Sequence, residues 1–265
     1  MQNLSSWAHM SDSKVYLEIF SGSGNWSRAL RRGMASRLAP QVFELDVVHE
    51  PDLGDLSRRR AQRVVRGWLR GGLLQGVWLG MPCSSWSRAR NRPNGPPALR
   101  DAHHVLGLPN LSSGDSLKVD LGNRLSRFSF SFFLECAQRG VPAAIENPST
   151  SWVWQTRWAQ HAAHQPGVKI IEFDFCAFGT AWRKRTWVMY VHLNLDSLSK
   201  CKCTGRGLCS FSHQPHRALE GKTPSGAFWT KIAEPYPPRL SSAFARAYRE
   251  ARLSSTHRAL LRLSA

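Results

Sequence analysis

Short apolar runs alternate with longer stretches of helical periodicity over most of the chain. The first run, 15–20, is followed by a helix-like stretch over 25–32, and Gly33 stands where a C-terminal cap of that helix is expected. Further predicted helices cover 57–70 and 121–139. The remaining predicted strands are 42–46, 76–79, 141–145, 169–175 and 186–192. Strands that alternate with helices predict an α/β fold with a parallel sheet covered on both faces.

Two stretches contain many residues that interrupt regular structure, and we predict that they are loops. The stretch 88–115 is rich in glycine and proline, and a loop of this length in a compact domain usually has a function or is disordered. The stretch 195–227 contains three of the six cysteines, Cys201, Cys203 and Cys209. Because the other three are scattered, we expect reduced thiols in a reducing compartment rather than a disulfide framework.

Length and charge narrow the classes of protein to which the chain can belong. Its 265 residues suffice for one large domain. No apolar run approaches the length needed to cross a bilayer, and residues 1–14 lack an apolar leader, so we expect an intracellular location, the nucleus in a eukaryote, and no membrane partner. Lys+Arg 36 against Asp+Glu 18 gives a net charge of +18, which favours nucleic acid as the partner. The alternative is a basic surface that serves solubility.

Polar residues follow the first two predicted strands. Gly22 and Gly24 come after the first strand and allow a tight turn to which a ligand can come close. Glu44 and Asp46 follow about twenty residues later, a spacing that suits acids bound to ribose hydroxyls. Asp55 either contacts an adenine amino group or caps the helix that begins near residue 57. This pattern favours a cofactor that contains a nucleoside over a plain turn.

A thiol and a carboxyl group follow two later strands. Cys83 comes after the third strand, and nearby arginines, Arg88, Arg90 and Arg92, are of the kind that lowers the pKa of a thiol. The alternative interpretation is that Cys83 is a buried structural cysteine. Glu146 follows the next strand, where it is either a proton donor or a helix-capping acid.

Arg183 and Arg185 precede the last predicted strand. Residues two positions apart in an extended segment point to the same side, so both guanidinium groups can address one anion or carbonyl. The alternative is ordinary exposed charge.

The order of these motifs resembles the DNA cytosine-5 methyltransferase family, from about residue 15 to residue 248. The most specific part is the Gly-x-Pro-Cys-x-x-x-Ser pattern over 80–87. It is accompanied by Phe20-Ser-Gly-Ser-Gly24, Glu146-Asn-Pro148, Arg183-Lys-Arg185 and 236–245. Ser84, Pro148 and Ala181 stand where the family usually has glutamine, valine and glutamine, which favours a divergent, compact branch.

The resemblance implies a Rossmann-like class I fold that uses S-adenosylmethionine. In that comparison Cys83 is the nucleophile that attacks carbon 6 of a flipped cytosine, Glu146 holds or protonates ring nitrogen 3, and Arg183 and Arg185 position the base. The implied cofactor residues are Phe20, Ser21, Gly22, Gly24, Glu44, Asp46, Asp55 and Pro82. We expect a monomer that acts on DNA in preference to RNA. The alternatives are an RNA methyltransferase of the same fold and a catalytically idle nucleic-acid-binding protein.

The family comparison divides the chain into a catalytic core over 14–193, an insert over 194–229 and a C-terminal part of the core over 230–250. We call residues 194–229 the insert, and we expect it to contact the target. Its five possible zinc ligands are Cys201, Cys203, Cys209, His213 and His216, of which we take the first four as the predicted set. Zinc would allow so short a segment to fold, and the alternative is reduced cysteines in a basic loop.

Overall fold

A computed structural model describes residues 14–32, 41–91 and 96–263 of the protein. The predicted cap Gly33 and the arginine Arg92 lie outside these ranges. The described residues form a six-stranded sheet whose strands match the predicted positions to within a few residues. The strands are β1 (Val15–Ile19), β2 (Gln41–Leu45), β3 (Leu74–Gly80), β4 (Ala143–Pro148), β5 (Lys169–Asp174) and β6 (Arg185–Val191).

Seven α-helices are present in the described residues, joined by short 3-10 turns. They are α1 (Asn25–Arg31), α2 (Pro51–Gly54), α3 (Arg59–Arg70), α4 (Ser113–Gln138), α5 (Arg157–Ala163), α6 (Trp229–Ile232) and α7 (Pro238–Leu263). Helix α4 begins at Ser113, within the predicted loop over 88–115 and earlier than the predicted start at residue 121. It begins there because the Ser112 side chain accepts a hydrogen bond from the Asp115 amide and caps the helix. Within the described ranges, no helix is both long and apolar enough to cross a membrane.

The sheet is mixed rather than parallel, which corrects the prediction. Its strand order is β2-β1-β3-β4-β6-β5, and β6 runs antiparallel to both of its neighbours. Only residues 175–184 connect β5 to β6, which is too short for a crossover helix, so the chain reverses direction. The other five strands run in one direction, so their carboxyl ends lie along one edge.

Two separate apolar cores cover the two faces of the sheet, as predicted for an α/β fold. On one face the strands pack with α3, α4 and α5, through residues such as Leu17, Val65 and Phe132. On the other face they pack with α1 and α7. β1 is buried along its whole length, and its side chains alternate between the two cores. Both faces are therefore closed, and the carboxyl edge is the part of the sheet at which polar groups collect.

Candidate active site

A glycine turn joins β1 to α1 at the carboxyl edge. Phe20, Gly22 and Gly24 all have positive φ, at 58°, 49° and 62°, so the backbone here follows a conformation that favours glycine. The Gly24 amide donates to the Ser21 carbonyl oxygen at 2.8 Å and closes the turn. A side chain added at Gly22 would meet none of the described residues within 4 Å. The turn therefore leaves open space beside its backbone.

Three predicted acids surround this turn. The Gly22 amide donates to Asp46 Oδ2 at 2.9 Å, and a methyl group at Gly24 would overlap the Glu44 carboxylate. A methyl group at Gly54 would likewise overlap the Asp46 carbonyl group, so the loop that carries Asp55 packs directly on the end of β2. The structure thus brings together the residues that the sequence predicted for a nucleoside.

All three acids have protein partners: Asp46 accepts from the Gly22 and Val48 amides, and the other two pair with arginines. Glu44 forms an ion pair with Arg31. Asp55 accepts hydrogen bonds from the Ser57 amide and hydroxyl and from Arg58 Nε, at 3.2, 2.6 and 2.8 Å. Burial raises the pKa of Asp55, but these hydrogen bonds outweigh it and hold the pKa below its usual value. These contacts lie before α3, whose N-cap Arg58 has no side-chain capping hydrogen bond, so the predicted alternative that Asp55 caps this helix is wrong.

Glu18, on β1, was not predicted as a site residue. Its side chain is 1% exposed, and its Oε2 accepts from the Ser27 amide at 3.0 Å and from the Ser27 hydroxyl. Glu18 Oε1 and the neighbouring Ser21 Oγ have no hydrogen-bond partner among the described residues. Burial raises the pKa of Glu18 to about 7. A carboxyl group inside an apolar strand is a signal that sequence reading could have used.

Cys83 lies just beyond β3 and is half-buried, while Pro82 beside it is exposed. Burial raises the pKa of the Cys83 thiol, Lys184 acts to lower it, and Glu146 acts to raise it further. The predicted lowering by arginines is therefore wrong. Arg88 instead lies over the Trp152 ring at 3.8 Å, and Arg90 donates to the Pro97 carbonyl oxygen at 2.9 Å.

Glu146 lies on β4, directly beside Gly80 of β3 in the parallel register. Its Oε2 accepts a hydrogen bond from the Tyr236 hydroxyl at 3.0 Å. Burial, together with the adjacent carboxylate, holds the pKa of Tyr236 well above its usual value, so this phenol remains a donor. Lys184 Nζ lies 3.9 Å from Glu146 Oε1, which has no hydrogen-bond partner within the described ranges. One carboxylate oxygen is thus held and the other is left available.

Arg183 and Arg185 pair with a different acid, Asp174, and their predicted role in positioning the base stays a prediction. They share a side, as predicted, but their Nε atoms lie 3.2 and 3.6 Å from Asp174 Oδ1. Lys184 points the other way because side chains alternate along an extended segment. The cation at Glu146 is therefore the residue between the two predicted arginines.

Two further charged residues approach the thiol from α6 and the turn after it. Lys231 and Glu234 form an ion pair. This pair raises the pKa of Lys231, and Asp46 and Cys83 contribute in the same direction. The negative charge of Glu234 also contributes to the raised pKa of Cys83. Lys231 is therefore within electrostatic range of both Asp46 and Cys83, a proximity that no local sequence signal indicated.

The loop after Cys83 is organised around the buried side chain of Arg100. This guanidinium stacks on the Trp86 ring at 3.4 Å and donates to the carbonyl oxygens of Ser85 and Val105 at 2.9 and 2.7 Å. Burial lowers the pKa of Arg100 to about 10, which leaves the group charged at neutral pH. The described part of the predicted loop is therefore fixed against the core rather than open.

Three thiols and a histidine form a cluster where the insert meets the end of β5. The ligand atoms of Cys176, Cys203, Cys209 and His216 all lie within 4.8 Å of one another. This set differs from the predicted one, because Cys176 and His216 take the places of Cys201 and His213. Cys176 was missed because it is distant in sequence and belongs to the core, so no local spacing connects it with the insert.

No family model matches the sequence, and no curated protein matches it. Among solved structures the chain is similar to the Entamoeba histolytica methyltransferase EhMeth, at 11% sequence identity and a TM-score of 0.37. The alignment covers 68% of this chain and 53% of that structure, so the chain spans about half the length of its structural neighbour. At this TM-score the likeness carries no functional information, and the function must come from the residues of the site.

Proposed function

We propose that the protein is an S-adenosylmethionine-dependent methyltransferase that modifies carbon 5 of cytosine in DNA through a covalent adduct with Cys83. One observation carries the proposal. At the carboxyl edge the Cys83 thiol lies in the fields of both Lys184, which lowers its pKa, and Glu146, which raises it, and one Glu146 oxygen lacks a hydrogen-bond partner among the described side chains. A nucleophile beside a group that binds a ring nitrogen is the arrangement required for addition to a pyrimidine.

The glycine turn fits S-adenosylmethionine. Open space lies beside Gly22, whose amide donates to the Asp46 carboxylate. The unpartnered Ser21 hydroxyl lies in the same turn, and the unpartnered Glu18 oxygen belongs to β1 just before it. The cofactor would supply an electrophilic methyl group. Glu44 and Asp46 would hold its ribose, as acids placed after the second strand do in nucleotide sites.

The protein groups divide the chemistry between them. The Cys83 thiolate would add to carbon 6 of cytosine, and the Lys184 cation favours the thiolate. The electron pair displaced by this addition would be stabilised through ring nitrogen 3, which Glu146 would hold by a proton on Oε1. Tyr236 fixes Glu146 through Oε2, so Oε1 would be the oxygen that meets the base. Carbon 5 would then take the methyl group, and a solvent base would remove the proton from carbon 5. The electron pair of the broken carbon–hydrogen bond would expel sulfur from carbon 6 and regenerate the thiolate.

The charge of the chain supports DNA as the substrate. A net charge of +18 favours a phosphate backbone, and α3 contributes an exposed row of arginines. Cytosine in a duplex must leave the base stack to reach a thiol at this edge. We expect binding that weakens steeply as the salt concentration rises, because phosphate contacts release counterions.

The decisive experiment uses DNA of mixed sequence in which every cytosine carries fluorine at carbon 5. Fluorine cannot leave as the proton does, so the adduct accumulates and survives denaturing electrophoresis. Wild-type protein with S-adenosylmethionine should form it, and Cys83→Ala should not. Adduct with fluorinated RNA alone would overturn DNA as the substrate. Binding without adduct on either nucleic acid would overturn the enzymatic proposal and leave the idle binding protein.

A further inference from the structure

The cluster of Cys176, Cys203, Cys209 and His216 has the dimensions of a metal site. Sγ of Cys203 lies 3.9 Å from Sγ of Cys209 and 3.7 Å from Nε2 of His216. Two sulfurs on one tetrahedral zinc are separated by about 3.8 Å, and a sulfur and an imidazole nitrogen by about 3.6 Å, from the usual bond lengths. A disulfide would instead require about 2.05 Å. We propose that these four side chains bind one Zn²⁺.

The surroundings of the sulfurs suit thiolate ligands. The Ser210 amide and hydroxyl donate to Cys203 Sγ at 3.4 and 3.5 Å, and the Phe211 amide donates to Cys209 Sγ at 3.4 Å. Donors directed at a sulfur stabilise its anionic, metal-binding form, and such outer contacts accompany metal ligands in proteins. Three soft thiolates and an imidazole favour zinc over the hard cations that prefer oxygen.

The part of the insert after Lys202 has no apolar core that could replace the metal, whereas Leu195 and Leu198 before it pack into one of the two sheet cores. Within the continuously described stretch 96–263, the buried residues between Lys202 and Ile232 are Cys203 and Cys209. The other large contacts there are cation–π pairs, Arg217 over Trp229 and Lys222 over Phe228, which are worth about 1 kcal/mol each at exposed sites. A segment with so little buried apolar surface requires another source of folding free energy, and a bound metal supplies it.

The metal would join the insert to the catalytic core. Cys176 follows β5, and the neighbouring Asp174 accepts a hydrogen bond from the Cys203 amide at 2.8 Å. Arg183, which pairs with Asp174, donates to the Cys203 carbonyl oxygen. One ligand thus comes from the core and three come from the insert. Zinc would therefore fix the insert next to the connection between β5 and β6, which contains Lys184.

The test is metal analysis of the full-length protein, purified without chelators. We expect one zinc per chain, and Co²⁺ in its place should show the strong visible bands of a tetrahedral thiolate site. Cys176→Ser, Cys209→Ser and His216→Ala should lose the metal. Cys201→Ser and His213→Ala are matched controls in the same insert, and they should retain it.

A second measurement on the wild-type chain keeps the proposal testable if the variants fail to fold. Removal of the metal by a chelator should expose the insert to trypsin at sites such as Arg206 and Lys222, while the core segment 96–193 stays resistant. Absence of zinc, or its loss in the Cys201 and His213 variants but not in the Cys176 and His216 variants, would overturn the proposal. These outcomes do not depend on turnover, so they are independent of the proposed methyl transfer.

Discussion

The two halves of the sheet's carboxyl edge treat their buried polar groups differently. At the ends of β1 and β4, several buried atoms have no hydrogen-bond partner in the described part of the chain: Ser21 Oγ, Glu18 Oε1, Glu146 Oε1 and Asn147 Oδ1. At the end of β5, Asp174 Oδ1 and Arg183 Nε also lack a hydrogen-bond partner within the described ranges, but they lie 3.2 Å apart as an ion pair, and Asp174 Oδ2 accepts from the Cys203 amide at 2.8 Å. Because unpartnered buried groups are costly, they require compensation, which an ion pair supplies at β5 and which a ligand would supply at β1 and β4. We therefore assign the first half to chemistry and the second to structure.

The thiols follow the same division. Cys83 has no second thiol beside it among the described residues and lies in the fields of Lys184 and Glu146, which suits a nucleophile. Cys176, Cys203 and Cys209 lie together and are buried, which suits ligands of a shared ion. The surrounding residues thus make one thiol suitable as a nucleophile and the other three suitable as metal ligands.

The largest expected effect comes from Cys83→Ala. Removal of the nucleophile should lower methyl transfer by about three orders of magnitude or more, since the covalent route is lost. Labelled methyl incorporation into DNA measures this effect. The zinc content of the variant should equal that of the wild type. Loss of zinc together with methyl transfer would contradict the assignment of separate roles to the two halves of the edge.

Asp174→Ala tests the structural half. The side chain is fully buried, so its removal leaves Arg183 without its anion, and the free energy of unfolding should fall by about 3 kcal/mol. Urea unfolding provides the measurement. Lys169→Met, which removes an exposed ion pair with Asp196, is the control and should cost at most about 1 kcal/mol. Equal losses in the two variants would contradict the assignment.

Glu18→Gln tests the buried carboxyl group at the end of β1, in the half of the edge that we assign to chemistry. Its pKa is raised from 4.5 to about 7 in the folded protein, so the folded state binds the proton more tightly than the unfolded state. The resulting stability is complete below pH 4.5 and is lost as the pH rises to 7, by about 3 kcal/mol. The variant should lack this loss, so its stability relative to wild type should increase from pH 5 to pH 8. A difference that is constant across this range in urea unfolding would refute the effect.

Lys184→Met tests the cation next to the thiol. Without this charge the pKa of Cys83 should rise further, which lowers the thiolate fraction and the rate of adduct formation about tenfold at neutral pH. The deficit should shrink as the pH is raised. Lys184→Arg should retain most of the rate. Arg185→Met, on the side that faces Asp174, should change the rate less than twofold, and a larger loss there would favour the original role predicted for that arginine.

Much of the fold and part of the site followed from local sequence. Period-two and period-3.6 patterns located the strands and the longer helices, because those patterns reflect which side chains must be buried. The glycine turn with Glu44, Asp46 and Asp55 was predicted because residues after parallel strands meet at one edge. The direction of β6 was not predicted, since only the short connection after β5 distinguishes a reversal from a crossover.

The sequence by itself determined the α/β class, the positive charge and the residues that follow each strand. Only the tertiary structure decided which of those residues meet. Register placed Glu146 beside Gly80, strand alternation turned Lys184 rather than Arg183 toward Glu146, and folding brought Cys176 to the cysteines of the insert. The physical reason is that local patterns specify burial along one segment, whereas a site depends on the packing of segments that are distant in sequence.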